Sequence, residues 1–149
     1  MEHDAPIDPD RIALGIQQPW VELVLRGAKR LEIRSQPTRQ RGLIYLYASK
    51  RASTLAAAAA AATRHRIDVQ SLPFGVLVGT AKLIDCRPCR PKDQHAACVT
   101  PQLLEGQFAW ELSEPRSFAV PLAVRFLPYG VWFYPFKRRP VGQPRRRTK

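Results

Sequence analysis

The second half of the chain is a succession of short runs rich in β-branched and aromatic residues, separated by turn residues. After a turn at residues 72–75, these runs cover residues 76–84, 108–112, 118–126 and 131–134. Runs of this kind favour β-strands that pair through the intervening turns. Pro121 lies inside one of them and is expected at a sheet edge or a bulge, because proline has no N–H to donate. This half of the chain is therefore predicted to form a sheet.

The first half of the chain adds three shorter strands and a short helix. The strands are predicted at residues 12–16, 29–34 and 42–48. Pro19 suits the first turn of a helix over residues 19–26, because the missing N–H has no partner there in any case. Gly27 is placed to end this helix in the left-handed conformation. The chain is thus expected to leave the helix and enter the strand at 29–34 directly.

A run of seven alanines predicts a second helix over residues 53–66, with Ser53 or Thr54 as its cap. Together the elements predict a mixed α+β fold, a small β-barrel of about six strands with helices packed at its side. We expect one domain over residues 12–136. A flexible acidic segment, 1–11, precedes it, and a disordered basic tail, 137–149, follows it.

The chain is strongly basic. Its 149 residues include 24 Lys and Arg against 12 Asp and Glu, a net charge of +12. Four of the acids lie in the first ten residues, so the rest of the chain carries 24 bases against 8 acids. A domain this basic attracts polyanions, and nucleic acid is the commonest polyanion inside a cell. The charge therefore predicts RNA or DNA as the partner.

The composition argues against several other classes of protein. No apolar run approaches the roughly 18 residues of a membrane span, and the acidic start does not resemble a signal peptide. Three cysteines are too few, and odd in number, for a disulfide framework. We therefore expect a soluble cytoplasmic protein, with no membrane partner, that is a monomer.

Lys29, Glu32 and Arg34 form the candidate site. Alternation along the predicted strand places Glu32 and Arg34 opposite Leu31 and Ile33, with Lys29 near the mouth of a cleft between helix and barrel. Lys29 and Arg34 can hold a phosphate, and Glu32 can accept a hydrogen bond from a nucleobase amino group. The alternative interpretation is a structural ion pair between Glu32 and one of the two bases.

These residues also carry a resemblance to a known family. Gly27, Lys29, Glu32 and Arg34 match the pattern G-x-K-x-x-E-x-R, the hallmark of the ASCH family (activating signal cointegrator homology) of PUA-like β-barrels. Other segments resemble the same family in the same order, over roughly residues 12–135: Gln18-Pro19-Trp20, Arg41-Gly42, 73–79, 83–86, 108–112 and 129–132. The resemblance implies a PUA-like barrel with a ligand cleft.

The resemblance and the charge together imply a nucleic-acid-binding protein. The cleft is expected to bind backbone phosphates and an unstacked base through these residues: Trp20, Lys29, Glu32, Arg34, Ser35, Thr38, Arg39, Arg41 and Lys50. Trp20 also suits the core through its helical face, and Trp110 and Trp132 are expected in the core.

Two other functions stay open. Some ASCH-type proteins resemble amidohydrolases that act on acetylated cytidine, and others are linked to ribonuclease activity. Lys29 and Glu32 would then be catalytic, but the family's threonine nucleophile has no counterpart, because Glu32 stands at its position. His95 is a further candidate for a ribonuclease. The third possibility is a protein-interaction module of the transcription-coactivator type.

No cofactor is favoured, although one segment has the donor types for zinc. Cys86, Cys89, His95 and Cys98 follow the pattern C-x2-C-x5-H-x2-C. The H-x2-C spacing is unusual for zinc, and Ala96 and Ala97 within it favour a helix. The family resemblance includes no metal. Ordinary thiols in a loop are therefore the preferred interpretation. Arg87, Arg90 and Lys92 lie among them and form a second basic patch.

Overall fold

The computed structural model describes residues 7–139. Within that range, six strands form one mixed sheet: β1 (Ala13–Ile16), β2 (Leu31–Arg34), β3 (Gly42–Ala48), β4 (Val76–Pro88), β5 (Phe108–Leu122) and β6 (Trp132–Phe133). Three α-helices accompany it: α1 (Trp20–Leu25), α2 (Ala56–Arg64) and α3 (Gln94–Ala97). The strand order is β2-β5-β4-β3-β1-β6, and the β1–β3 pair is parallel. The predicted α+β barrel class is confirmed, as a curled half-barrel.

β4 and β5 are the long strands of the sheet. β5 joins the run predicted at residues 108–112 to the first part of the run predicted at 118–126. The prediction of two strands with a turn between them was therefore wrong. Ser113 pairs with Lys82 and Arg116 with Thr80, so the polar stretch between the runs continues the ladder instead of turning. Pro121 lies where the register shifts between Leu77 and Gly79 of β4, as predicted for a proline at a bulge.

α1 ends as predicted and delivers the chain to β2. Gly27 adopts a φ of +78°, which is the left-handed conformation that glycine reaches without a steric penalty. Its N–H donates to Val24 O at 3.0 Å, and the N–H of Ala28 donates to Leu23 O at 3.0 Å. These bonds satisfy the last carbonyls of the helix. The turn places Lys29 between α1 and β2.

α2 contains the alanine run but begins later than predicted. Leu55 is the N-cap residue and makes no side-chain cap bond, so the assignment of Ser53 or Thr54 as cap was wrong. Ser53 Oγ instead accepts the N–H of Leu55 at 3.3 Å, because the serine folds a local turn just before the helix. The helix buries Ala58, Ala61 and Ala62 against the core.

The core lies on both faces of β3. One face packs with α1 and α2 and includes Leu14, Val21 and Leu46. The other face carries Tyr45 and Tyr47, which pack with residues such as Leu77 and Phe133. Trp110 is buried and stacks on the half-buried Trp132, with ring centroids 5.7 Å apart, as expected for core aromatics. Within the part of the chain that the structure describes, no helix is long and apolar enough to span a membrane.

Candidate functional site

A cleft of about 930 Å³ opens where the curled sheet brings β1 and β2 face to face. The two strands are not neighbours in the sheet, yet Arg34 Nη2 of β2 donates to Gly15 O of β1 at 2.8 Å. The walls come from widely separated parts of the chain: β1, α1, β2, β3 with the loop after it, and the segments 99–107 and 127–131. The predicted cleft beside Lys29, Glu32 and Arg34 is thus present, and all three residues line it.

Lys29 lies at the floor of the cleft rather than at its mouth, which corrects the sequence-based expectation. The residue is only 2% exposed, and its Nζ donates to Ala97 O at 2.7 Å. Glu32 Oε1 is 3.9 Å from Nζ, and the Trp20 ring centroid is 5.0 Å away. Burial lowers the pKa of the Lys29 amino group, and the nearby Glu32 charge opposes that shift. Lys29 therefore supports the fold as well as lining the cleft.

Glu32 forms ion pairs with both Lys29 and Arg34. Its Oε2 accepts from Arg34 Nε at 3.1 Å and from Nη2 at 2.7 Å, and Arg34 also lies over the Trp110 ring at 5.6 Å. The structural ion pair weighed as an alternative is therefore present, and its members nevertheless face the cleft. Within residues 7–139, Glu32 Oε1 accepts no hydrogen bond and Arg34 Nη1 donates none. Both atoms keep capacity for a ligand.

Apolar side chains ring the mouth of the cleft. Leu55 and Leu127 are 55% and 65% exposed, and Leu103 and Val131 are 42% exposed. All four line the cleft, although they belong to three segments far apart in the sequence. Exposed apolar side chains that converge on one concave site indicate a ligand with apolar faces. This rim could not be predicted from the sequence, because nothing in the sequence signals that the three segments meet.

The predicted binding residues divide into two groups. Trp20 and Lys50 line the cleft: Trp20 is largely buried in the core with one side on the cavity, and Lys50 is exposed. Four others lie on the connection between β2 and β3 and are not part of the cleft wall: Ser35, Thr38, Arg39 and Arg41. That connection is held by Trp110, whose Nε1 donates to Gln36 O at 3.0 Å. The four residues do not line the cleft, because the loop that carries them contacts β4 and β5 instead. Their part in binding nucleic acid stays a prediction.

Gly15 and Tyr47 are cleft residues that the sequence analysis did not identify. A Cβ added at Gly15 would lie 3.6 Å from Ser49 Oγ and 3.8 Å from Val131 O, so the missing side chain leaves space in the cleft. Tyr47 Oη is buried and has no hydrogen-bond partner in the described chain. Burial also raises the pKa of the Tyr47 hydroxyl. Only a glycine inside an apolar strand hinted at this opening.

The cysteine segment does not assemble a metal site. Cys86 and Cys89 are half-buried, Cys98 is buried, and His95 is exposed. No three His, Cys, Asp or Glu residues among positions 7–139 are grouped so that they could hold a metal ion. Burial raises the pKa of the Cys89 and Cys98 thiols. As placed, the four side chains do not converge in the way that tetrahedral zinc coordination requires.

The fold and the site define an ASCH domain, and the sequence comparison agrees. The model of the ASCH domain family matches residues 14–122, and the chain belongs to this family. The most similar solved structures include ASCH from Zymomonas mobilis, with a TM-score of 0.57, 15% identity, and coverage of 85% of this chain and 88% of that one. A variant of that protein with one serine replaced by alanine gives a TM-score of 0.55 at 15% identity, covering 85% of this chain and 89% of that one. At this identity the likeness shows the fold.

Two curated relatives share more sequence. Activating signal cointegrator 1 of Homo sapiens is 34% identical over 119 residues, and the Mus musculus protein is 30% identical over 119 residues. Each match covers 75% of this chain but 20% of the relative. The chain thus corresponds to about one fifth of those larger proteins.

Proposed function

We propose that this ASCH domain binds single-stranded nucleic acid and takes one unstacked nucleotide into the cleft. The observation that carries the proposal is the division of the cleft into an apolar rim and a charged floor. A nucleobase has apolar faces and hydrogen-bonding edges, so a rim of Leu55, Leu103, Leu127 and Val131 suits its faces while Glu32 suits its edge. A cavity of about 930 Å³ lies within the size range of ligand pockets and has room for a nucleotide.

The phosphate contacts come from two basic side chains of the cleft, the exposed Lys50 and the half-buried Arg34. Lys29 is 2% exposed, donates to Ala97 O and lies beside Glu32, so a phosphate reaches it less readily than the other basic side chains of the cleft. Lys50 is exposed at the cleft and has no ion-pair partner among the described residues, and Arg34 keeps Nη1 available. Lys50 and Arg34 are therefore the proposed phosphate ligands, assisted by the general positive charge of the chain.

A binding titration tests this proposal. Fluorescence anisotropy of labelled single-stranded RNA and DNA decamers, against the full chain, should give affinities whose logarithm falls linearly with the logarithm of salt concentration. The two phosphate contacts, from Lys50 and Arg34, predict a slope of about −1.4 and therefore a loss of roughly sevenfold between 50 and 200 mM salt, because bound counterions are released. A duplex of the same sequence should bind more weakly, since its bases are stacked and paired.

Gly15→Ala is the variant that separates cleft binding from surface binding. The added methyl group meets its neighbours at ordinary van der Waals distances, so the fold should be unaffected while the cleft becomes smaller. We expect single-strand affinity to fall about tenfold with an unchanged melting temperature. Equal affinity of Gly15→Ala and the parent chain would place binding outside the cleft. Affinity that does not depend on salt would favour a protein-interaction module instead.

Hydrolysis of RNA or a modified nucleoside is the second candidate function. The observation in its favour is the lowered pKa of Lys29 beside Glu32 at the floor of the cleft, since perturbed ionisable groups in a cavity are typical of active sites. Turnover of labelled RNA or acetylated cytidine that disappears in Glu32→Gln, while binding persists, would support it. Binding without turnover by the parent chain would exclude it for those substrates.

A further inference from the structure

The hydroxyl of Tyr47 is a buried polar group in the cleft that the phosphate contacts do not use. Tyr47 is 3% exposed, and its Oη has no hydrogen-bond partner among residues 7–139. The ring is held in place by Phe133, with centroids 5.1 Å apart and planes at 83°. A buried hydroxyl without a partner lowers stability, so its retention in a cleft wall points to a partner that arrives with the ligand.

Lys50 and this hydroxyl both lie beside Gly75. A Cβ placed on Gly75 would lie 3.8 Å from Tyr47 Oη and 3.3 Å from Lys50 Cγ. Lys50 is itself exposed and lines the cleft. Lys50 is thus a flexible, exposed side chain in the neighbourhood of the hydroxyl, and it can change rotamer at little cost.

Building on the proposed function, we infer that Tyr47 reads the base of the bound nucleotide. Lys50 binds a phosphate of the nucleotide, and Tyr47 Oη donates a hydrogen bond to an acceptor on the edge of its base. The two residues thus contact the two halves of one nucleotide, Lys50 the backbone and Tyr47 the base. Because burial raises the pKa of Tyr47, the hydroxyl keeps its proton for this bond across the physiological pH range.

The test removes the hydroxyl and the base in turn. Decamers of uridine, cytidine and adenosine, and an abasic decamer with the same backbone, are titrated against the parent chain and Tyr47→Phe. For the base that the parent binds best, Tyr47→Phe should weaken affinity about threefold to tenfold, the range for one hydrogen bond. Affinity for the abasic decamer should not change, because no base is present to accept the bond.

Tyr45→Phe is the matched control. Tyr45 lies two residues earlier on the same face of β3, and its Oη accepts the N–H of Asp8 at 2.8 Å outside the cleft. Tyr45→Phe should lower the melting temperature and leave binding intact. Tyr47→Phe should melt at the parent's temperature or slightly above it, because it removes an unpaired buried hydroxyl.

The outcomes separate the two proposals. If Tyr47→Phe binds every decamer as the parent does, or weakens the base-containing and abasic decamers equally, the assignment of Tyr47 is overturned and the proposed function stands. If the parent chain binds none of the decamers, the proposed function fails and the assignment fails with it.

Discussion

Two carboxylates in this molecule are equally buried but differ in how many hydrogen bonds they accept. Asp93 and Glu32 are both 5% exposed. Asp93 accepts from Arg87 through both oxygens, at 2.7 and 2.9 Å, and from the N–H of Arg90 at 2.8 Å. Glu32 is bound tightly through Oε2 alone, and its Oε1 is 3.9 Å from the nearest amino group, that of Lys29.

A structural ion pair and a binding site differ in how much hydrogen-bonding capacity they leave unused. The Arg87–Asp93 pair uses both carboxylate oxygens and closes the loop that follows β4, so little capacity remains for a ligand. The Glu32 cluster leaves Oε1 and Arg34 Nη1 unused, the Tyr47 Oη has no partner in the described chain, and all three atoms belong to residues that line one cavity. Burial of charge alone does not distinguish the two regions, whereas unused hydrogen-bonding capacity does.

The largest effect is expected where the cleft floor supports the fold. Lys29→Met removes the donor to Ala97 O and the positive charge beside Glu32, so it should lower the free energy of unfolding by about 3 kcal/mol. Urea unfolding measures this change. Arg30→Met is the control, because Arg30 is exposed, and it should shift the midpoint very little. Equal stabilities would show that Lys29 is not part of the structural floor.

The next effect concerns the Arg87–Asp93 ion pair, whose contribution to stability depends on pH. The Arg87 hydrogen bonds lower the pKa of Asp93 to about 2 from 3.8, so the folded state favours the carboxylate. The pair should contribute about 2 kcal/mol above pH 4, and that contribution should disappear as the pH falls through 2. Asp93→Asn should therefore be less stable than the parent at pH 7 and should converge with it near pH 2. Parallel stability curves across this pH range would contradict the assignment.

A smaller effect, on binding affinity, distinguishes the cleft from the second basic patch as the place where nucleic acid binds. Lys50→Ala should weaken single-strand binding about tenfold and reduce the slope of log affinity against log salt by about 0.7, the value for one phosphate contact. Lys92→Ala removes an exposed lysine from the Arg87–Asp93 side and should change affinity less than twofold. Anisotropy titrations of both variants measure the difference. A larger loss in Lys92→Ala would move the binding surface to that patch.

Local chemistry was sufficient to predict much of the fold and part of this site. Alternation along β2 placed Glu32 and Arg34 on the face that lines the cleft, and Gly27 was identified as the end of α1. These features depend on a few neighbouring residues, so periodicity and turn preferences determine them.

The parts that were missed depend on distant contacts. The depth of Lys29 follows from Ala97 O, which is 68 residues away in the sequence. The apolar rim needs residues from the loop before α2 and from the segments 99–107 and 127–131 to converge. The 113–117 stretch was read as a turn because it is polar, although pairing with β4 makes it part of a strand. None of these contacts has a local signal. The tail expected at 137–149 lies mostly outside the described residues.

The most direct test of the central claim is a map of where RNA touches the protein. A single-stranded decamer containing 4-thiouridine is cross-linked to the full chain by ultraviolet light, and the modified peptides are identified by mass spectrometry. Binding in the cleft predicts cross-links in the peptides that contain Tyr47, Lys50 and residues 127–131, and their loss in Gly15→Ala. Cross-links confined to residues 87–92 or to the basic tail, and equal in Gly15→Ala, would contradict it.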